Sequence, residues 1–305
     1  MTFVDQQTGK QTSIPAHNYS FDQLADIYNR ARVDYIVPMP MNGKRMADYV
    51  RHYDIDLDAS AIALTNNKTE LGVIMTGIRG KRSWATRLGV IPEQRGHKIG
   101  QFLMELVIEK SRERHIRHVQ LEVIKGNEPA YCLFIKLGFQ EVRELLVIRR
   151  PPGRLRDTLA PVGAVVTPLV DEDIPSYLLQ RDPAVAWTEE TESLLHVGKL
   201  KGLHAKLPSG ESGWAIFQCL PFQLTHFVLS PSASSDLAQA LLYAIHTQYP
   251  MQDTKIENFP AQHPTWPVYQ KLGYLESFRR IEMVLELAPD PKRGQNISQP
   301  LRHAI

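Results

Sequence analysis

The sequence predicts an α/β (α+β) protein built of two tandem domains. The chain has 305 residues, a length that favours two domains over one. Between Leu88 and Phe139, short apolar strands alternate with amphipathic helical patterns, in the order strand, loop, helix, strand and short helix. The last part of this pattern returns in the second half at a constant offset, which indicates an internal duplication.

The loop after the first of these strands has the composition of an anion-binding turn. It runs from Gln94 to Gly100 and reads QRGHKIG. Its glycines permit a tight turn, and the unpaired N–H groups of the following helix lie at the positive end of the helix dipole. Arg95, His97 and Lys98 add basic side chains. A glycine-containing turn before a helix is a weak signal by itself, so the interpretation depends on the neighbouring motifs.

Three blocks of this stretch resemble the signature of the GNAT family of N-acetyltransferases. The segment from Arg95 to Gly100 occupies the family's loop pattern Gln/Arg-x-x-Gly-x-Gly/Ala, and the segment from Leu88 to Pro92 resembles its fourth strand. The segment from Asn127 to Phe139 resembles its Asn-x-x-Ala…Leu-Tyr…Gly-Phe block. The resemblance implies two tandem GNAT-like domains, each with a mixed, mostly antiparallel sheet flanked by helices. It also implies acetyl-CoA as cosubstrate and no metal.

The resemblance implies a coenzyme site in the first half. The loop would hold the pyrophosphate, strand N–H groups near Val90 would accept the thioester carbonyl, and Asn127 would hydrogen-bond the pantetheine arm. The cofactor-binding residues implied are Leu88, Val90, Arg95, Gly96, His97, Lys98, Ile99, Gly100, Asn127, Ala130 and Phe134. Lys98 replaces the family's first loop glycine, so the backbone there must tolerate a side chain.

The candidate catalytic residues are Glu122 and Tyr131. An acceptor amine must lose a proton before it attacks, and Glu122 is the nearest carboxylate to the predicted site. The alternative is a structural glutamate, because Glu257 has the same place in the second half. Phe134 stands where many family members have a tyrosine that protonates the departing thiolate. Tyr131, three residues earlier, is the candidate substitute for this acid, against a role in packing.

The second half resembles the first without its coenzyme loop. Glu257 and Gly273 each follow their counterparts in the first half by 135 positions. The loop from Ser230 to Asp236 contains no glycine and no basic residue, and we expect Ser235 or Asp236 to cap the next helix. We therefore predict one coenzyme site per chain, with a degenerate second copy that is structural or shapes the acceptor pocket.

Segments rich in proline and glycine predict the domain limits. The Pro151-Pro152-Gly153 linker divides an N-terminal domain with the acetyl-CoA site, residues 1–152, from a degenerate domain, residues 153–288. Residues 289–305 are rich in Pro, Gly and Gln and are predicted to form a loose tail.

Two further helices precede the first long strands. Ser20 begins a capping box and Asn42 is placed to cap the second helix. In GNAT proteins the segment between these helices borders the acceptor site. Asp34, Met39 and Met41 are therefore candidates for substrate contact, against ordinary loop packing.

Composition and charge indicate the cellular compartment of the protein and the kinds of partner it can have. The net charge of +2 is small and unclustered, so nothing argues for a nucleic-acid partner. Cys132 and Cys219 are far apart and lack metal-ligand partners, which favours a reducing compartment. The sequence has no apolar leader and no run long enough to span a membrane. We predict a cytoplasmic protein without membrane association, and its oligomeric state stays open.

The leading hypothesis is an acyl-CoA-dependent N-acyltransferase, most simply an acetyltransferase, that acts on an amine of a small molecule or peptide. Aminoacyl-tRNA-dependent transferases also use tandem GNAT-like domains, but they would be expected to have a basic tract for tRNA. The non-enzyme alternative is a coenzyme A-binding regulatory module, motivated by Phe134 and Lys98.

Overall fold

A computed structural model describes residues 11–181, 185–231 and 233–287. The strands are β1 (Thr12–Pro15), β2 (Ala61–Leu64), β3 (Glu70–Arg79), β4 (Arg82–Val90), β5 (His118–Ile124), β6 (Gln140–Arg150), β7 (Val165–Pro168), β8 (Leu200–Lys206), β9 (Ser212–Cys219), β10 (Gln223–Leu229), β11 (Asp253–Pro260) and β12 (Leu275–Glu286). The α-helices are α1 (Phe21–Ala31), α2 (Gly43–His52), α3 (Ile99–Glu113), α4 (Glu128–Lys136), α5 (Ile174–Leu178), α6 (Thr191–Val197), α7 (Ser235–Gln248) and α8 (Trp266–Lys271). The predicted tail, residues 289–305, lies outside the described residues.

The first two helices begin where the sequence predicts. Ser20 and Gln23 form a reciprocal capping box at the start of α1. The Asn42 side chain accepts a hydrogen bond from the Arg45 N–H at the start of α2. Such caps satisfy N–H groups that the helix itself leaves unpaired. Both helices pack their apolar faces on the first part of the sheet, around the fully buried Tyr28.

All twelve strands join one mostly antiparallel sheet, in the order β1-β2-β3-β4-β5-β12-β6-β11-β10-β9-β8-β7. The α/β architecture and the mostly antiparallel pairing are confirmed. The last strand of the described residues, β12, lies between β5 and β6 and pairs with both in antiparallel fashion. In turn, β6 lies between β12 and β11. Each half therefore receives one strand from the other, an arrangement we call the strand exchange.

Two pairs of strands in the sheet are parallel, and both are short. The strands β4 and β5 pair only from Arg82 to Trp84 on the β4 side. In the second half, β10 and β11 pair only at Gln223 and Leu224 on the β10 side. Beyond these points each pair diverges and leaves a cleft between its strands. The repeat in the sequence thus corresponds to two matching clefts.

A buried ion cluster also joins the halves. The carboxylate of Glu190, in the second half, accepts hydrogen bonds from Arg82 at 2.5 and 2.8 Å and from Arg79 at 3.0 Å. The Glu190 side chain is only 4% exposed. Beside this cluster, Trp187 packs so closely on Gly77 that an added Cβ would lie 3.0 Å from the indole. The second half is therefore fixed directly over the first.

Candidate active site

The start of α3 is open. Lys98 precedes the helix in the left-handed conformation, with φ 60°, and no side chain caps the helix. The first main-chain bond into the helix runs from the Phe102 N–H to the Lys98 carbonyl at 3.0 Å. The N–H groups of Ile99, Gly100 and Gln101 precede it and lie at the positive end of the helix dipole. The lysine at the family's glycine position thus keeps the turn that a glycine would make.

The loop before α3 is anchored by Arg95. Its guanidinium binds the Asp34 carboxylate through two hydrogen bonds of 2.7 and 2.8 Å. It also donates to the carbonyls of Val90 and Ala31. In this arrangement Arg95 clamps the loop to the end of α1, while the exposed His97 and Lys98 side chains are the more accessible basic groups of the loop.

The corresponding helix start in the second half is occupied. Ser234, and not the expected Ser235 or Asp236, caps α7 by accepting from the Leu237 N–H at 3.2 Å. Ser234 also donates from its hydroxyl and its backbone N–H to the Glu211 carboxylate. A carboxylate therefore stands where a phosphate would have to bind.

A cavity of about 210 Å³ lies between β4 and β5, where the two strands diverge. Five predicted site residues line it, namely Leu88, Glu122, Asn127, Ala130 and Phe134. Four residues of the second half close its other side, namely Thr188, Glu257, Asn258 and Arg280. The cavity is therefore built by both halves, and we call it the central cleft.

Glu122 lies in the central cleft without a cation partner among the described residues. One carboxylate oxygen, Oε2, accepts from the Trp84 indole N–H at 2.7 Å. The other, Oε1, is buried and has no hydrogen-bond partner. Burial raises the pKa of Glu122 to about 7, although the indole N–H opposes this shift. A carboxyl that titrates near neutral pH can both take up and release a proton.

Glu257, the counterpart of Glu122, has a different environment. Its carboxylate pairs with Lys255 at 2.6 Å and with Arg280 at 2.9 Å. Burial raises the pKa of Glu257, but Arg280 and Lys255 outweigh this effect and hold it well below its usual range. One structural role does not explain both glutamates, because only Glu257 is neutralised by cations.

Of the other predicted residues, some line the central cleft and others lie outside it. The Tyr131 hydroxyl donates to Glu141 at 2.6 Å, and Tyr131 does not line the central cleft. Asn127 donates to the Tyr35 hydroxyl at 3.2 Å. Met39 lines the cleft, whereas the backbone of Met41 is bound by the side chain of Asn29. An acid for the leaving thiolate therefore remains a prediction.

Three arginines of the central cleft were not predicted from the sequence, namely Arg32, Arg87 and Arg280. Arg87 has a positive φ of 55° at an irregularity of the β3–β4 pairing, and Arg32 follows the last turn of α1. Neither belongs to a motif. A basic residue within a predicted strand is the only signal that could have identified Arg87.

The open helix start, the divergent parallel strands and the cleft define an acetyltransferase fold of the tandem kind. Residues 22–139 match the model of the acetyltransferase (GNAT) family. The chain is 36% identical over 55 residues to a putative [ribosomal protein bS18]-alanine N-acetyltransferase of Bacillus subtilis (strain 168). That match covers 18% of this chain and about a third, 36%, of the relative.

Solved structures with the same fold extend over most of the chain. A tandem GNAT protein from the clavulanic acid biosynthesis pathway has a TM-score of 0.64 at 15% identity, covering 92% of this chain and 100% of its own. A GCN5-related N-acetyltransferase from Sphaerobacter thermophilus has a TM-score of 0.66 at 14% identity, covering 90% of this chain and 95% of its own. These likenesses confirm a tandem GNAT fold.

Two features are absent from the described residues. No helix there has the length and apolar character needed to cross a membrane. No group of three or more His, Cys, Asp or Glu side chains within the described ranges is arranged to hold a metal ion.

Proposed function

We propose that this protein is an acetyl-CoA-dependent N-acetyltransferase that acts on an amine of a small molecule or peptide. The observation that carries the proposal is the position of Glu122, unpaired by any cation of the described chain, in the cleft that opens beside the uncapped start of α3. The N–H groups from Gly96 to Gln101 would bind the coenzyme diphosphate. Acetyl-CoA supplies the thioester that the amine attacks.

The residues of the chain have separate tasks in this proposal. Glu122 takes a proton from the acceptor ammonium, because an amine attacks only when it is neutral. Trp84 orients the carboxylate through its indole N–H. Beyond Trp84, β4 has no ladder to β5, so its N–H groups on that side are available to an oxyanion. The thiolate of the coenzyme leaves without a dedicated acid, since a thiol has a pKa of about 8.5.

The test is turnover by the purified full-length chain. It is incubated with acetyl-CoA and a panel of amines that includes small molecules and peptides with free N-termini, and thiol release and acetylated product are both measured. Peptides are included because the Bacillus subtilis relative is named as a ribosomal-protein alanine N-acetyltransferase. We expect at least one amine to be acetylated. Coenzyme binding without any turnover would instead support the regulatory module, and absence of coenzyme binding would overturn the assignment of the site.

A further inference from the structure

Arg87 is a cation of the central cleft that forms no salt bridge with a carboxylate of the described residues, and Glu257, which also lines the cleft, interacts with it only at longer range. Its guanidinium donates to the Tyr28 hydroxyl at 3.2 Å and lies 3.7 Å from the Met39 sulfur. Its carbon Cζ lies 4.4 Å from the centroid of the Tyr49 ring. The Nε atom is buried and has no hydrogen-bond partner. No carboxylate of the described residues lies within ion-pair distance of this guanidinium.

Arg32 repeats this pattern on the same side of the cleft. Its guanidinium stacks on Tyr35, with Cζ 3.4 Å from the ring centroid, and donates to the Leu88 carbonyl at 3.3 Å. Its Nε is likewise buried without a partner. The Cζ atoms of Arg32 and Arg87 lie 5.4 and 5.6 Å from the centroid of the same Tyr28 ring. Two unpaired cations therefore flank one ring at one cavity.

The third arginine of the cleft, Arg280, differs because its guanidinium is paired with a carboxylate. Arg280 binds the Glu257 carboxylate at 2.9 Å and the Asn258 amide oxygen at 2.8 Å. An arginine that keeps a buried, unpaired Nε loses hydration without compensation, which is costly unless a ligand supplies the acceptor. The central cleft thus has a local excess of positive charge and two donors that lack an acceptor.

We propose that Arg87, with Arg32 beside it, binds a carboxylate of the acceptor, which is therefore a small amine of amino-acid size that also carries a carboxylate. This inference depends on the proposed acetyl transfer. A guanidinium binds a carboxylate through two parallel hydrogen bonds, which fixes the direction of the molecule as well as its charge. The cavity of about 210 Å³ is smaller than the roughly 300–1,000 Å³ of typical small-molecule pockets, so the acceptor group inside it is small.

The kinetic test compares each amino acid with its own carboxamide as acceptor. Both have the same amine and nearly the same shape, and only the first has the carboxylate. We expect the wild-type chain to favour the carboxylate in kcat/KM at least tenfold. Arg87→Gln should reduce this preference by about ten- to a hundredfold, the range for a lost hydrogen bond to a charged group. Arg51→Gln, on the exposed surface of α2, is the matched control and should keep the preference.

A binding measurement separates this inference from the proposed function. N-acetylated amino acids and their carboxamides are titrated by calorimetry into wild type and Arg87→Gln, each with coenzyme A present, after circular dichroism has confirmed that both are folded. Selective binding of the carboxylates to wild type without any turnover would support the inference and contradict the proposed reaction. Turnover of both forms at equal rates, a preference that survives in Arg87→Gln, or a preference for phosphorylated amines would overturn the inference. Failure of all twenty N-acetylated amino acids to bind would do so as well.

Discussion

The indoles of Trp84 and Trp187 stack with their ring centroids 5.8 Å apart and their planes 16° apart. Trp84 belongs to the first half and donates to Glu122, whereas Trp187 belongs to the second half. The Trp187 indole is itself fixed by a hydrogen bond of 2.9 Å to the Tyr53 carbonyl. The second half of the chain therefore fixes the side chain that orients the candidate base.

Trp84→Phe should shift the pH–rate profile to higher pH. Phenylalanine keeps the stacking but removes the N–H that stabilises the ionised Glu122. A hydrogen bond to a charged group contributes about 1.5–3 kcal/mol, which corresponds to an increase of roughly one to two pKa units. The profile of kcat/KM against pH measures this shift. Trp214→Phe, a buried tryptophan of the second half, is the control, and an unmoved profile in Trp84→Phe would contradict the orienting role.

Glu122→Gln should lower kcat by about a hundred- to ten-thousandfold, the usual contribution of general base catalysis. In the wild type, we expect kcat/KM to rise with pH through about 7, because the carboxyl must be ionised to accept the proton. This limb should be absent from the variant. Glu109→Gln, on the exposed face of α3, is the control for the loss of one carboxylate. A variant that keeps full activity and the same limb would exclude Glu122 as base.

The same glutamate should make stability depend on pH. Burial raises its pKa from the ordinary 4.5 to about 7 in the folded chain, so the folded state holds a proton that the unfolded state releases. Stability from this group is present below pH 4.5 and is lost as the pH rises to about 7, by up to about 3 kcal/mol. Denaturant titrations at several pH values should therefore show a smaller loss across this window in Glu122→Gln. Equal losses in both proteins would contradict the raised pKa.

Gly100→Asp should weaken coenzyme A binding at least tenfold more than Gly100→Asn. An added Cβ at Gly100 would lie 3.5 Å from Leu133 and 3.7 Å from Val90, which are ordinary contacts, so the Cβ of either variant is accommodated. The two variants have nearly the same size, and only the first places a negative charge where the diphosphate is proposed to bind. Calorimetry measures the difference. Equal affinities in the two variants would place the diphosphate elsewhere.

Glu190→Gln should destabilise the whole chain by about 3 kcal/mol. The substitution removes the negative charge that compensates Arg79 and Arg82, and uncompensated buried charges are costly. Glu192→Gln, an exposed neighbour on α6, should change stability by less than about 0.5 kcal/mol. Urea denaturation of both variants provides the comparison. A neutral effect of Glu190→Gln would show that the ion cluster does not hold the halves together.

The sequence predicted those features that are decided locally. The caps at Ser20 and Asn42 follow from residue type and spacing within one turn, and the turn before the uncapped start of α3 follows from the glycines around it. The cap of α7 was misplaced because several serines and an aspartate adjoin it. A contact with Glu211, 23 residues away, accompanies the choice of Ser234.

The features that depend on distant contacts could not be predicted. The strand exchange satisfies the same alternation of buried and exposed residues that a hairpin within each half would satisfy, so the sequence pattern does not select between them. The unpaired state of Arg87 likewise follows from its surroundings, since Tyr28 and Met39 lie far from it along the chain. A single sequence contains the residues of this cleft but not their juxtaposition.

The strand exchange also governs how the chain can fold during its synthesis. The strand that must enter between β5 and β6 begins at Leu275, long after β6 ends at Arg150. At roughly 5–20 residues per second, a ribosome needs on the order of ten seconds to make this stretch. During that time β5 and β6 expose unpaired edges, which are prone to aggregate. We expect residues 1–152 and 153–305 to be insoluble when made separately and to recover coenzyme binding only when made together.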